Sequence, residues 1–275
     1  MQYTKLAFRI KSQEQSELLM ALLSELPFES FEEVDNALHA FIKSKEFERN
    51  KLLEIINEYE VINDIKFTET KIPATNWNQV WERNFSPIYV NDLWSVRANF
   101  HEPLNTKNEI IINPKMSFGT GHHATTKMMM EFMSEMNFMT KTVFDFGAGT
   151  GILSIMAFKL GASKVVALDH EEWAYRNAEE NFETNSCIKI ENHLGTIESL
   201  PTQKYDMILA NINKNVLIEA ANQIEKSSYS DTILLLSGIL DSDQSDIISI
   251  FSALNFSVEE VKTNLQWCAI KFIKL

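Results

Sequence analysis

The stretch 143–169, VFDFGAGTGILSIMAFKLGASKVVALD, restricts what this chain can fold into more than any other. Its apolar run 143–146 reads as a buried parallel strand, which then breaks into Gly147, Gly149 and Gly151. An apolar helical pattern follows over 152–160, and Gly161 supplies a stop. A second buried strand over 165–168 ends on Asp169. Strand, glycine turn, helix, strand and acid make a βαβ unit suited to hold a nucleoside. The glycines let the backbone turn sharply and approach a ligand closely, because a Cβ would block both. Asp169 lies about twenty residues beyond the first glycine, where it can accept hydrogen bonds from ribose hydroxyls.

The spacing is G-x-G-x-G, not the dinucleotide G-x-G-x-x-G, and Asp145 stands two residues before Gly147. This pattern resembles motif I of the class I S-adenosylmethionine methyltransferases. In those enzymes the carboxylate before the loop helps hold the amino-acid end of the ligand.

The surrounding sequence predicts an open α/β sheet. A helix is expected over 173–182 with Trp173, Ala174, Ala178 and Phe182 inward, and strands over 188–190, 205–210 and 232–236. A final pair is expected over 256–262 and 267–273, one of them antiparallel. Upstream, 110–112 reads as a strand and 118–121 (FGTG) as a small-residue loop, with Thr125 or Thr126 starting the next helix. The methionines at 128, 129, 130, 133 and 136 are read as packing against the sheet. His122 and His123 are adjacent, so their side chains diverge, and without a cysteine or carboxylate pattern no metal site is expected. Gly147, Asp169 and Asn211 each fall at the carboxyl end of a strand, where open α/β sheets bind ligands.

The N-terminal 70 residues read differently. A strand over 3–10, a helix capped by Ser12, a hairpin of 28–34 and 37–43 around Asp35-Asn36, a second helix and a strand over 65–72 give the ferredoxin-like order βαββαβ. They carry 8 basic and 14 acidic side chains and no catalytic constellation, so the module is expected to bind a partner. Trp77, Trp81, Phe85, Tyr89 and Trp94 follow; Trp77 and Trp81, four apart, share a helix face and are read as packing. The expected division is a small substrate-recruiting domain at 1–65, an aromatic-rich linker at 66–100 and a methyltransferase domain at 101–275.

The net charge of −13 argues against sequence-specific or tight nonspecific nucleic-acid binding and fits a basic protein partner. No apolar run approaches the roughly 20 residues of a membrane span, and MQYTKLAFRI lacks the layout of a signal peptide. Cys187 and Cys268 lie far apart with no C-x-x-C, which predicts two reduced, buried thiols in a cytoplasmic protein.

Trp77…Trp81, Asn113-Pro114, FGTG at 118–121, Asp145-Phe146-Gly147, Ala210-Asn211-Ile212, 236–240 (LSGIL) and Trp267-Cys268 together resemble the PrmA family over nearly the whole chain. That resemblance implies methyl transfer from S-adenosylmethionine to lysine ε-amines and the N-terminal α-amine of large-subunit ribosomal protein eleven. Positions matching Thr126, Gly147, Asp169 and Asn211 contact the cofactor in the family, and Gly149 and Gly151 match its glycine turn. The family usually shows G-T-G-T-H-P-T-T where this chain has GTGHHATT, so His122 and Ala124 are departures. From the residues themselves, the Asn211 carbonyl can orient an incoming amine, and Phe118 or Trp267 can set a ring face near a sulfonium or methylated ammonium. Two other readings stand beside this one. The first is a methyltransferase for another protein, a nucleobase or a small molecule; the amide and exocyclic-amine enzymes typically show NPPY where this chain has 211–214, NINK. The second is a cofactor-binding assembly factor without turnover. The chain is expected to act as a monomer.

Overall fold

A computed structural model describes residues 2–34, 37–59, 62–72, 85–113, 115, 117–199 and 203–275. The chain divides into two compact units, Met1–Asn84 and Phe85–Leu275.

In the first unit, strand β1 (Tyr3–Arg9) leads to helix α1 (Gln13–Leu23), which opens on Ser12, whose side chain accepts from the Gln15 amide. Strands β2 (Phe28–Val34) and β3 (Ala37–Lys43) pair antiparallel. Helix α2 (Arg49–Glu58) and strand β4 (Phe67–Ile72) complete the order β-α-β-β-α-β, with the strands arranged β2-β3-β1-β4. Alternate residues of β1 and β3 (Leu6, Phe8, Leu38, Ala40) are buried with Leu19, Leu23, Leu52 and Ile56 of the helices, so period two meets period 3.6 in one core. Because β4 pairs with β1, a boundary at 65 would cut a strand from its sheet; the contacts place the division after Asn84. The hairpin turn at Asp35-Asn36 and the expected Trp77–Trp81 helix lie outside the described residues.

The second unit begins with a three-stranded sheet, β5 (Ile88–Tyr89), β6 (Trp94–Arg97) and β7 (Asn108–Ile111). Helix α3 (Ala124–Ser134) follows, starting one residue before the threonines because His123 is its N-cap. Met128, Met129, Met130 and Met133 are buried there among strand residues, as the sequence predicts. Then come β8 (Thr142–Phe146), α4 (Ile152–Lys159), β9 (Lys164–Asp169), α5 (Glu172–Thr184), β10 (Glu191–Leu194), β11 (Tyr205–Asn211) and α6 (Lys214–Lys226). The chain ends with β12 (Ser228–Leu240), α7 (Gln244–Ala253), β13 (Phe256–Asn264) and β14 (Trp267–Lys274). The third strand of the central βαβ run is 191–194, not 188–190. The Ile190 amide bonds back to the Cys187 carbonyl in a turn, and Ile188 is 77% exposed.

The seven strands lie in the order β10-β9-β8-β11-β12-β14-β13. The first five are parallel; β14 pairs antiparallel with both β12 and β13, so of the final pair only β14 runs against the other strands, as the sequence predicts. The chain runs outward from β8 to β10, then returns to place β11 on the other side of β8. That reversal opens a crevice beyond the carboxyl ends of β8 and β11. Two buried clusters flank the sheet, one around α3 and α4, the other around α6 and α7. Both cysteines are free and buried, and no helix among the described residues is long and apolar enough to cross a membrane.

Candidate active site

The crevice is a cavity of about 650 Å³, within the usual size of a small-molecule cofactor site. Phe118, Gly147, Gly149, Asp169 and Asn211, all singled out from the sequence, line it.

The glycine turn works by packing against protein. All three glycines have positive φ, at 77°, 56° and 77°. A Cβ on Gly147 would lie 2.2 Å from Ile212, one on Gly149 would lie 2.4 Å from the Phe118 carbonyl oxygen, and one on Gly151 would lie 2.4 Å from the Phe182 ring. The positive φ values make the sharp turn read from the sequence, and the space beside the glycines is taken by Ile212, the Phe118 carbonyl and Phe182 of α5. Gly151 itself is away from the cavity wall, beneath Phe182.

Asp169 closes β9 on the wall and is 8% exposed. Its Oδ2 accepts from the Gly149 amide at 2.8 Å and its Oδ1 from the Glu171 amide at 3.0 Å. Each carboxylate oxygen has two lone-pair positions, so capacity remains on both for ligand hydroxyls.

Asp145 is a buried residue of β8. It is 1% exposed, is not part of the described cavity wall, and accepts from the Ser154 hydroxyl at 2.6 Å. Burial, reinforced by the Asp169 charge and opposed by the bonds from Ser154, lifts its carboxyl to about 6. It therefore sits under the glycine turn as a buried titratable support.

Thr126 is likewise buried and off the wall. Its Oγ1 accepts from Asn211 Nδ2 at 3.2 Å, which occupies the nitrogen end of that amide. Asn211 Oδ1 is buried and has no hydrogen-bond partner. An unmet buried acceptor costs about 1–3 kcal/mol, so Asn211, a wall residue, keeps an acceptor to offer. The segment carrying it is held rigidly. The Ile212 amide donates to the Ser237 carbonyl at 3.1 Å, Gly238 leaves room for the Ile212 carbonyl, and Asn213 caps α6 by accepting from the Val216 amide at 3.1 Å.

The wall carries four carboxylates, Asp169, Glu171, Glu198 and Glu219, and among the described residues lining it there is no lysine or arginine. Phe118, His123 and Trp267 form an aromatic side, with ring centroids 5.3 Å and 4.8 Å apart along that order. His123 and His170 are its imidazoles. His123 Nδ1 accepts from the Thr125 amide at the start of α3, so that nitrogen is already committed. Trp173, expected to face inward, is 49% exposed at the cavity because it stands at the first turn of α5, beyond the sheet.

One set of residues passed unnoticed in the sequence. Asn177 and Asn181 of α5 and its C-cap Asn185, spaced four apart, bond the backbone beside the site. Asn181 accepts from the Asn113 amide and donates to the Thr150 carbonyl; Asn185 accepts from the Ile111 amide and donates to its carbonyl; Asn177 donates to the Asn113 carbonyl. The signal was an asparagine repeat at helical spacing beside the inward Ala174, Ala178 and Phe182. The wall residues Gly195, Thr196 and Ile197 had no such signal; only strand pairing places them there.

A family model described as ribosomal protein L11 methyltransferase (PrmA) matches residues 8–274. The chain belongs to this family. A ribosomal protein L11 methyltransferase from Porphyromonas gingivalis is 36% identical over 261 residues, covering 93% of this chain and 90% of that protein. A relative of the same name from Chlorobaculum tepidum is 35% identical over 270 residues, covering 95% and 92%. Among solved structures, the ribosomal protein L11 methylase of Lactobacillus delbrueckii subsp. bulgaricus matches with a TM-score of 0.63 and 25% identity, over 69% of this chain and 99% of that one. The PrmA family membership and the mostly parallel sheet agree with the class I methyltransferase fold read from the glycine turn.

Proposed function

We propose that this chain transfers methyl groups from S-adenosylmethionine to lysine ε-amines and the N-terminal α-amine of ribosomal protein L11. The observation that carries the reading is the unpartnered Asn211 Oδ1 on the wall of a cavity that Asp169 and the glycine turn also line. Asp169, Gly147, Gly149 and Phe118 would hold the cofactor, with Thr126, Asp145 and Gly151 supporting them from behind. The cofactor supplies a methyl group activated on a sulfonium.

Asn211 Oδ1 accepts an N–H of the incoming amine, which directs the lone pair without removing a proton. Rate then comes mainly from proximity and orientation. The amine must arrive neutral, and His123 Nδ1 is occupied by Thr125. Deprotonation is therefore assigned to the free amine, before docking or as it is desolvated. The four wall carboxylates attract a cationic amine but also favour its proton, while desolvation against Phe118 and Trp267 works the other way. The small unit recruits the substrate, and the negative charge of the chain fits a basic partner.

The names of the relatives favour this reading over a nucleobase or small-molecule substrate. The test is incubation of the chain with labelled S-adenosylmethionine and unmethylated ribosomal protein L11, followed by mass mapping. Label on lysine or the N-terminal amine is expected. Cofactor binding with no label transferred would leave an assembly factor as the better account.

A further inference from the structure

The loop 117–123 reaches the cavity through Phe118 and His123, yet it is held from two sides. On one side Thr150 grips it: the Thr150 amide donates to the Phe118 carbonyl at 2.9 Å and its hydroxyl donates to the Gly119 carbonyl at 2.5 Å. On the other side stands His122, the residue that departs from the related pattern. His122 Nε2 lies 2.9 Å from the Ser86 carbonyl oxygen, and its Nδ1 lies 3.2 Å from the Thr120 hydroxyl. A carbonyl can only accept, so Nε2 carries the hydrogen; Nδ1 of the same neutral ring is then free to accept from Thr120. The ring also meets the Phe85 ring edge-on, centroids 4.3 Å apart. Next to it, a Cβ on Gly121 would sit 3.0 Å from Ile88. Residues 85–88 thus lie directly against the loop. Ala124, first residue of α3, lacks the fixed φ by which a proline at that position would preset the helix start.

We propose that His122 is a positioning residue: it fastens the 117–123 loop to the backbone at Ser86 and so keeps Phe118 seated on the Thr150 amide and on the cavity wall. Threonine at 122 is too short to span to Ser86. Glutamine carries an amide N–H at a reach similar to Nε2 and can restore the bond. The kinetic consequence rests on the proposed role of the cavity as the cofactor site; the structural one does not.

The test uses the full chain without cofactor and compares wild type, His122→Thr and His122→Gln by amide hydrogen exchange. Loss of one such bond corresponds to about fivefold faster exchange at the Thr150 amide, while the Ile212 amide, bonded to Ser237 across the cavity, keeps its wild-type rate. His122→Gln is expected to return Thr150 to wild-type exchange. With cofactor, His122→Thr is expected to raise KM for S-adenosylmethionine and leave kcat at saturation nearly unchanged. Unchanged Thr150 exchange in His122→Thr, equal acceleration at Ile212, or no recovery with glutamine each overturns the proposal. Faster Thr150 exchange with an unchanged KM would support the clamp and count instead against the cavity as the cofactor site.

Discussion

Replacing Asp145 by asparagine probes the electrostatics beneath the glycine turn. The carboxyl is buried, and burial lifts it from 3.8 to about 6. Because the folded value is the higher one, the folded chain binds more protons between those two pH values, and stability falls as pH rises through the window. Each pH unit there is worth about 1.4 kcal/mol, so ionised Asp145 costs the fold about 3 kcal/mol at neutral pH. Asparagine keeps an acceptor for the Ser154 hydroxyl and removes the charge. Its amide N–H groups need partners, and an unmet one costs about 1–3 kcal/mol, but that cost is the same at every pH. The diagnostic is therefore the pH dependence of the difference. Urea unfolding of both chains from about pH 4 to about pH 7.5 should show Asp145→Asn gaining about 3 kcal/mol on wild type as pH rises to about 7, then staying level. A difference that stays flat across the window would refute the argument that burial raises this carboxyl.

Gly149→Val places a Cβ against the Phe118 carbonyl at a φ of +56°, so the loop is expected to leave the turn; calorimetric titration should show cofactor binding lost in a chain that keeps its circular dichroism, and undiminished affinity would contradict this. Asn211→Ala should lower the methylation rate at saturating cofactor with little net change in stability, since loss of the bond to Thr126 is offset by removal of an orphaned acceptor; full rate with earlier melting would make Asn211 a structural cap. With no base assigned on the chain, the rate on a lysine peptide should climb about tenfold per pH unit below the lysine pKa, and a plateau near neutrality would reveal a base. A chain starting at residue 73 should still bind cofactor but lose most activity on intact protein L11 and far less on a short lysine peptide, because a tethered substrate sees a high effective concentration. Added salt should narrow that gap by screening charge attraction, and equal losses on both substrates would assign the small unit to supporting the active site.

Local patterns told most of what the sequence could tell. The run 143–169 determined strand β8, the turn, helix α4, strand β9 and Asp169, because each depends on neighbours within about one helical turn or on strand alternation. The same logic produced the order of elements in the small unit. It misplaced β10, where apolar Ile188 and Ile190 outweighed a polar strand, ENHL, that is recruited by its neighbour β9 and has little strand signal of its own. Tertiary structure alone decided what the site residues touch. The space beside each glycine belongs to Ile212, Phe118 and Phe182, residues between 31 and 65 positions away. Asp145 is buried and its carboxylate accepts from Ser154 of α4, a partner that only the fold discloses. Asn211 acquired its free oxygen only because Thr126, 85 residues earlier, holds the other end of its amide. A residue's type and spacing fix which chemistry it can offer; which face of it remains unspent depends on partners that only the folded chain brings within hydrogen-bond distance.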